Sequence, residues 1–318
     1  MRFIQTLKEG DHVLEHYFCK DKQKMVTKAG KNYFNVTLQD KTGTLNAKIW
    51  DLTPQIFDFN KNQMVKIDAQ ITSYQGDLQA NIYRIRPSEP GEYDLADFIR
   101  QTDKDVEQLY KGLLRRIGEV RDPKLRQLLE SFFVDDAKFI KRFKEHPAAK
   151  SVHHNYLGGL IEHVSAVVEN AVYMADAYPG VDRDLVITGA MLHDIGKVRE
   201  LTEMPVAEYT DAGQMLGHII LGYNMVQERM NRLGAFPRTQ QELLLHIILS
   251  HHGELEFGSP KVPMTREAMI VHFADNIDAK MKVMETFVEE DPSDGHWTSF
   301  NRFLNRNLYK PEKKDPQK

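Results

Sequence analysis

The sequence predicts a multidomain protein, a small all-β barrel of five strands followed by an all-α domain. Three observations carry that reading. Apolar and polar residues alternate from about residue 11 to residue 86, the period of strands with one buried face. A break rich in Pro, Gly and acid, RPSEPGEYD, follows at 86–94. Beyond it, apolar residues recur at helical spacing almost to the end of the chain. At 318 residues, each domain is long enough to bury its own core.

The first strand is expected within HYFCKDKQKMVTKAG (16–30). YFNVTLQD (33–40) sets Phe34, Val36 and Leu38 on one face, and TLNAKIW (44–50) turns Leu45, Ala47 and Ile49 inward after the turn KTG. LTPQIFDFN (52–60) is long enough for a short helix. MVKIDAQITSY (64–74) and DLQANIYRI (77–85) alternate again across a tight Gln75-Gly76 turn. Three strands, a short helix and two more strands predict a barrel of the OB type, with a plain antiparallel sheet as the alternative. The helical series runs through 105–120, 122–134, 158–178, 182–192, 217–234, 239–249 and 265–288, with Pro123 suiting a helix start after Asp122. The expected division is 1–90 for the barrel, 91–145 for a linker and connecting helices, 146–310 for the second domain and 311–318 for a disordered tail.

Composition bounds the function only loosely. A net charge of −4 does not advertise a nucleic-acid binder, although a local basic or aromatic patch suffices for one. Cys19 is the single cysteine, so no intrachain disulfide can form, and a cytoplasmic setting is expected. The N-terminal residues lack the apolar core of a signal peptide, and no apolar stretch approaches membrane-span length, so no membrane partner is expected.

Ten of the thirteen histidines fall between His146 and His272. Any one of them, taken alone, is more readily a core or surface residue satisfied by a backbone carbonyl. The set is different, because His163, His193-Asp194, His218, His251-His252 and Asp275 sit where apolar helices begin or end. Several buried imidazoles and carboxylates would each need a partner of their own. A metal site satisfies them together: imidazole nitrogen and carboxylate oxygen suit Mn, Fe, Co, Ni or Zn. Asp194, with two oxygens, can bridge two ions, His163, His193 and Asp275 completing one, and His218 with His251, or alternatively His252, holding the other. Lys197 is a candidate for steadying phosphate charge, with an ordinary solvated lysine the equal alternative. His153 or His154 can contact substrate or donate a proton; His154 is the choice for a catalytic role beside Asp194 and Lys197. His246 reads as a satisfied core residue, and His272, three residues before Asp275, as support for a ligand.

The order His163, His193-Asp194, His218, His251-His252, Asp275, with the strings HDIGK and GGLIEHV, resembles the metal-dependent phosphohydrolases of the HD superfamily. With the barrel in front, the whole chain is similar to the YhaM-type 3′→5′ exoribonucleases, and AAKSVHHNYLGGLIEH (148–163) agrees with that family's approach to its HD domain. The resemblance implies attack on single-stranded RNA from its 3′ end with release of nucleoside 5′-monophosphates. It also implies two divalent transition metals, Mn foremost. In the barrel, Tyr33, Lys48, Trp50, Tyr74, Tyr83 and Arg84 form an aromatic and basic set suited to single-stranded nucleic acid, RNA foremost with DNA as the alternative. Two other functions are carried alongside: an HD phosphohydrolase of nucleotides or cyclic nucleotides, and a non-catalytic single-strand-binding protein. A homo-oligomer is compatible with either.

Overall fold

The computed structural model describes residues 1–150, 156–234 and 236–311. The chain divides into two compact units, Met1–Gln101 and, leaving aside the short Met204–Val206 segment, the residues from Thr102 onward.

In the first unit the alternating segments form β1 (His12–Val26), β2 (Asn32–Asp40), β3 (Gly43–Ile49), β4 (Gln63–Tyr74) and β5 (Asp77–Pro87). They close in the order β1-β2-β3-β5-β4, with β3 and β5 parallel and the other pairs antiparallel. This is the expected OB-like barrel. Closure asks the first strand to serve two neighbours, and β1 does so by bending at a bulge between Cys19 and Asp21: residues 12–19 pair with β4 and 18–26 with β2. Val36, Leu38, Leu45, Ala47, Ile49, Ile67 and Ile71 all point into the core, as alternation predicts. Buried Asp40 ties the β2–β3 turn by accepting from the backbone N–H of Ile4, Thr42 and Gly43.

The short helix expected at 52–60 does not form. The segment instead crosses the barrel as irregular chain, bridging Ile56 to Ile85 and burying Phe59 in the core. Lys22 covers that ring, its Nζ 4.1 Å from the centroid and donating to the Phe59 carbonyl at 2.6 Å. Residues 91–101, expected as linker, belong to the barrel unit: Phe98 is buried, Lys41 N–H donates to the Asp97 carbonyl, and the Lys41 ammonium meets the Asp97 carboxylate at 3.1 Å.

The second unit contains α1 (Val106–Glu119), α2 (Pro123–Phe133), α3 (Ala137–Glu145), α4 (Gly159–Ala177), α5 (Arg183–Leu192), α6 (Lys197–Glu200), α7 (Asp211–Leu233), α8 (Arg238–Ser250) and α9 (Arg266–Glu290). Asp105, Asp122, Asp136, Asp182, Thr210 and Thr265 accept backbone N–H groups at helix starts, and Pro123 occupies the first turn of α2. Helices α4 and α5 are buried along most of their length and form the centre of the core. A hairpin of β6 (Trp297–Asn301) and β7 (Arg306–Tyr309), absent from the sequence reading, packs Leu304 and Leu308 against Val283, Phe287 and Val288 of α9. Of the predicted disordered tail, 312–318 lie outside the described residues.

If Phe59 is the plug of the barrel, Phe59→Ala removes a buried aromatic that nothing can replace. Large-to-small changes of this kind cost about 3–5 kcal/mol. Denaturant unfolding followed at Trp50 is expected to shift to markedly lower midpoint; an unchanged midpoint would show that the 51–60 segment contributes nothing to closure.

Candidate metal centre and aromatic cleft

The run Leu185–Leu192 buries all of α5 beyond its first turn, so the chain leaving its end delivers His193 and Asp194 into the core, each at most 1% exposed. The next turn is set by Gly196, where a Cβ would lie 1.9 Å from the His218 carbonyl oxygen and 2.5 Å from the Gly222 nitrogen. Only glycine lets α7 approach that closely. Gly217, at φ +72°, breaks α7 and turns His218 back toward Asp194. His163 comes from α4, His251 from the end of α8, and Asp275 from α9.

Four imidazole Nε2 atoms converge on two carboxylates. His163 and His193 lie 3.3 and 3.5 Å from Asp194 Oδ2 and 3.2 and 3.9 Å from Asp275 Oδ1. His218 and His251 lie 3.5 and 3.6 Å from Asp194 Oδ1. One carboxylate thus offers a different oxygen to each pair. His252 completes the second group: His218, His251 and His252 each bring a nitrogen within 4.8 Å of the others, as do His163, His193 and Asp275 in the first group. The sequence offered His252 as a substitute for His251; the structure brings both to His218.

The opposite nitrogen of each ring fixes its tautomer. Nδ1 of His193 faces the Ala190 carbonyl at 2.8 Å, Nδ1 of His251 the Ile248 carbonyl at 2.8 Å, Nδ1 of His163 the Asp278 carboxylate at 2.7 Å and Nδ1 of His218 that of Glu200 at 3.0 Å. Each Nδ1 is thus held by an oxygen acceptor, which turns each Nε2 toward the carboxylates and leaves it to present a lone pair when a cation takes the proton's place. His163 Nε2 and His193 Nε2 lie 3.3 Å apart beside the same carboxylates. Asp194 Oδ1, His218 Nε2 and His251 Nε2 are buried without any hydrogen-bond partner. Lone pairs and carboxylate oxygens do not gather in a dry interior unless a cation holds them, so the donor set fits divalent metal.

The ionisation tendencies agree. Burial opposes the charge on Asp194, yet Lys197 and His193 hold it well below the usual carboxylate range. Burial likewise opposes the charge on His163, but Asp194, Asp275 and Asp278 pull it upward, the mark of a place that wants positive charge. His251 is pushed far down by burial and then by its histidine neighbours, which keeps it neutral.

Lys197 is buried, its Nζ 2.5 Å from Asp194 Oδ2, so the solvated-lysine alternative falls. His153 and His154 lie outside the described residues. His246 accepts from the Met264 N–H at 2.9 Å. His272 supports His251 rather than Asp275: its Nδ1 meets the His251 carbonyl at 2.8 Å, and its ring fills the space that a Cβ on Gly253 would take. Sequence reasoning missed Glu200 and Asp278. The available signal was helical spacing, Glu200 three residues past Lys197 and Asp278 three past Asp275. Glu200 grips His218 twice, accepting from its backbone N–H at 2.9 Å as well as from its ring.

In the barrel, Tyr33, Lys48, Trp50 and Tyr74 line one cleft of about 440 Å³ together with Asn46 and Gln79. Tyr33 and Trp50 stack at 4.7 Å between centroids, the Trp50 indole donates to Asn81 at 3.1 Å, and the Lys48 ammonium lies 5.6 Å from the Tyr33 ring. Tyr83 and Arg84 are not part of it. The β4–β5 ladder shifts register between Asp68 and Ala69, opposite these two residues, so both are exposed, and Arg84 lines a separate cleft with Lys66 and Phe57.

Residues 160–280 match the family model of the HD domain. The helical unit contains an HD domain. HD domains bind divalent metals and form a family of metal-dependent phosphohydrolases. Among solved structures, the chain is similar to the HD domain of the L. monocytogenes phosphodiesterase PgpH, at 21% identity over 48% of this chain and 80% of that one, with a TM-score of 0.31. It is also similar to the second OB-fold domain of replication protein A from Methanococcus maripaludis, at 15% identity over 29% and 98%, TM-score 0.24. A third similarity is to the p204 HINb domain, at 14% identity over 27% and 46%, TM-score 0.23. Among the described residues, no helix is long and apolar enough to cross a membrane.

Glu200→Ala is expected to weaken divalent-metal binding by about 10–100-fold, the usual effect of losing a partner that orients a ligand histidine. Glu200→Gln should restore most of it, since the amide oxygen still accepts from His218. Titration of the metal-free protein with Mn²⁺ checks both; wild-type affinity in Glu200→Ala would show that His218 needs no such support.

Proposed function

We propose that the protein is a metal-dependent 3′→5′ exoribonuclease that hydrolyses single-stranded RNA to nucleoside 5′-monophosphates. The observation that carries the hydrolytic part is the sharing of Asp194, one oxygen facing His163 and His193 and the other facing His218 and His251. That arrangement supports two ions, Mn foremost and Fe, Co, Ni or Zn also suited to the donors. His163, His193, Asp194 and Asp275 would hold one; Asp194, His218, His251 and His252 would hold the other. When bound, such ions supply Lewis-acid polarisation of a phosphoryl group and make water a stronger nucleophile near neutral pH. Lys197 orients Asp194 and keeps it ionised, leaving its remaining N–H groups for a substrate phosphate. Asp278 and Glu200 hold His163 and His218 in the lone-pair-forward tautomer.

The choice of a polynucleotide over a small nucleotide rests on the barrel. Its cleft combines a stacked Tyr33–Trp50 pair, exposed Tyr74, the Lys48 ammonium and the amides of Asn46 and Gln79. It lies on β2, β3 and the β4–β5 turn, the face on which barrels of this type bind oligonucleotides. Aromatic faces accept any base, and the lysine attracts the backbone. The 3′→5′ direction rests on the similarity to YhaM-type enzymes.

Two assays test the reading. With Mn²⁺, RNA labelled at its 5′ end should shorten through a ladder, while RNA labelled at its 3′ end should release the label first as a mononucleotide. Hydrolysis of free or cyclic nucleotides with single-stranded RNA left intact would overturn the proposal. Trp50→Ala is expected to raise KM for RNA with little change in kcat. Stacking contributes about 1–3 kcal/mol per base, so a rise of about tenfold is anticipated; an unchanged KM would remove the cleft from the binding of substrate.

A further inference from the structure

Helix α9 has two working faces. One carries Asp275 and Asp278 toward the metal centre. The other exposes Met269, Phe273, Ile277, Met281 and Met284, each at least 37% accessible, at helical spacing along nearly the whole helix. A contiguous apolar stripe of this kind on a soluble domain marks an interaction site. Three features indicate what covers it. The stripe is nearly symmetric about Ile277: Phe273 and Met281 lie four residues either side, and Met269 and Met284 eight and seven. Among the exposed residues of the helix, Arg266 stands at one end and Glu285 with Glu289 at the other, Lys280 lying between them, while Glu267 turns away to accept from the Asp182 N–H at 2.9 Å. Finally, the two ends have complementary shapes. Beside the N-terminal third lies an apolar cleft of about 770 Å³ lined by Met174, Tyr178, Val181, Met264, Met269 and Phe273. At the C-terminal third stands the β6–β7 hairpin, whose Trp297, Phe300 and Phe303 project into solvent, each more than half exposed.

A surface that carries a groove at one end, a projection at the other and a symmetric stripe between them complements an inverted copy of itself. We propose that two copies of this chain pair through α9, antiparallel about a two-fold axis at Ile277, the aromatic hairpin of each seating in the apolar cleft of the other. Such an interface is isologous, so it closes at two and leaves no open end. Arg266 of each copy comes alongside Glu285 and Glu289 of the other. Because α9 also holds Asp275 and Asp278, pairing would brace the helix that contributes to the metal centre. The pairing is independent of which phosphodiester that centre cleaves.

Light scattering on the eluting full-length protein at micromolar concentration should give twice the mass of the chain. Met281→Lys and Phe300→Lys, both at exposed positions, should each raise the dimer dissociation constant by about a hundredfold, as expected when a charge is buried in two symmetric copies of an apolar contact. Circular dichroism confirms that the variants are folded. A residue on the axis meets its own copy, so Ile277→Cys should yield a covalent dimer under mild oxidation, whereas Leu14→Cys, exposed on the barrel, should not; the natural Cys19 is buried. A monomeric wild-type protein would overturn the proposal. So would a dimer, or a larger assembly, that neither lysine variant weakens.

Discussion

Asp194 is the constraint on which the helical unit turns. Its carboxylate is buried, each of its oxygens faces a pair of imidazole nitrogens, and Lys197 is the only ammonium in contact with it among the described residues. Removing an ion from water costs several kcal/mol even after relaxation, so two carboxylates at this depth call for compensating positive charge. Leaving Asp194 Oδ1 and two imidazole nitrogens without hydrogen bonds adds about 1–3 kcal/mol for each atom. A marginally stable protein keeps such an arrangement where metal binding repays it.

The rest of the fold serves that convergence. The buried run Leu185–Leu192 of α5 drives the His-Asp pair into the core. Gly196 and Gly222 let α6 and α7 approach to backbone contact, and the break at Gly217 turns His218 inward. The close packing continues at Gly213, where a Cβ would strike the Glu200 carbonyl at 2.1 Å, so the carboxylate that orients His218 is itself fixed in place. His272 does the same for His251 from α9. His163, His193, His218 and His251 are thus each held by Nδ1 before any metal arrives, which leaves little ordering entropy to lose on binding.

Legibility in the sequence followed the strength of the period. Strands β2 to β5 alternate cleanly because one face fills the barrel, and the clustered histidines stand out because ionisable residues inside apolar helices are costly. The failures have equally local causes. Residues 52–60 have a composition compatible with a helix, but the burial of Phe59 and the bridge from Ile56 to Ile85 make them a plug. The β6–β7 hairpin carries a register shift between Trp297 and Phe300 and exposes most of its aromatics, so no period of two survives to be read. Tyr83 and Arg84 fall at the β4–β5 shift, which separates them from the cleft that Tyr33, Lys48, Trp50 and Tyr74 line. Glu200 and Asp278 were overlooked because a carboxylate on a helix ordinarily faces solvent, and only the tertiary contact with an imidazole reveals its role. Likewise, choosing between His251 and His252 assumed one ligand per dipeptide, whereas the turn after α8 brings both rings to His218.

The central claim is that one aspartate serves two metal positions. Anomalous diffraction from crystals grown with Mn²⁺ tests it most directly. The account predicts two manganese peaks on opposite sides of the Asp194 carboxylate, one also contacted by His163, His193 and Asp275, the other by His218, His251 and His252. A single peak, or a pair in which Asp194 touches only one ion, would contradict it.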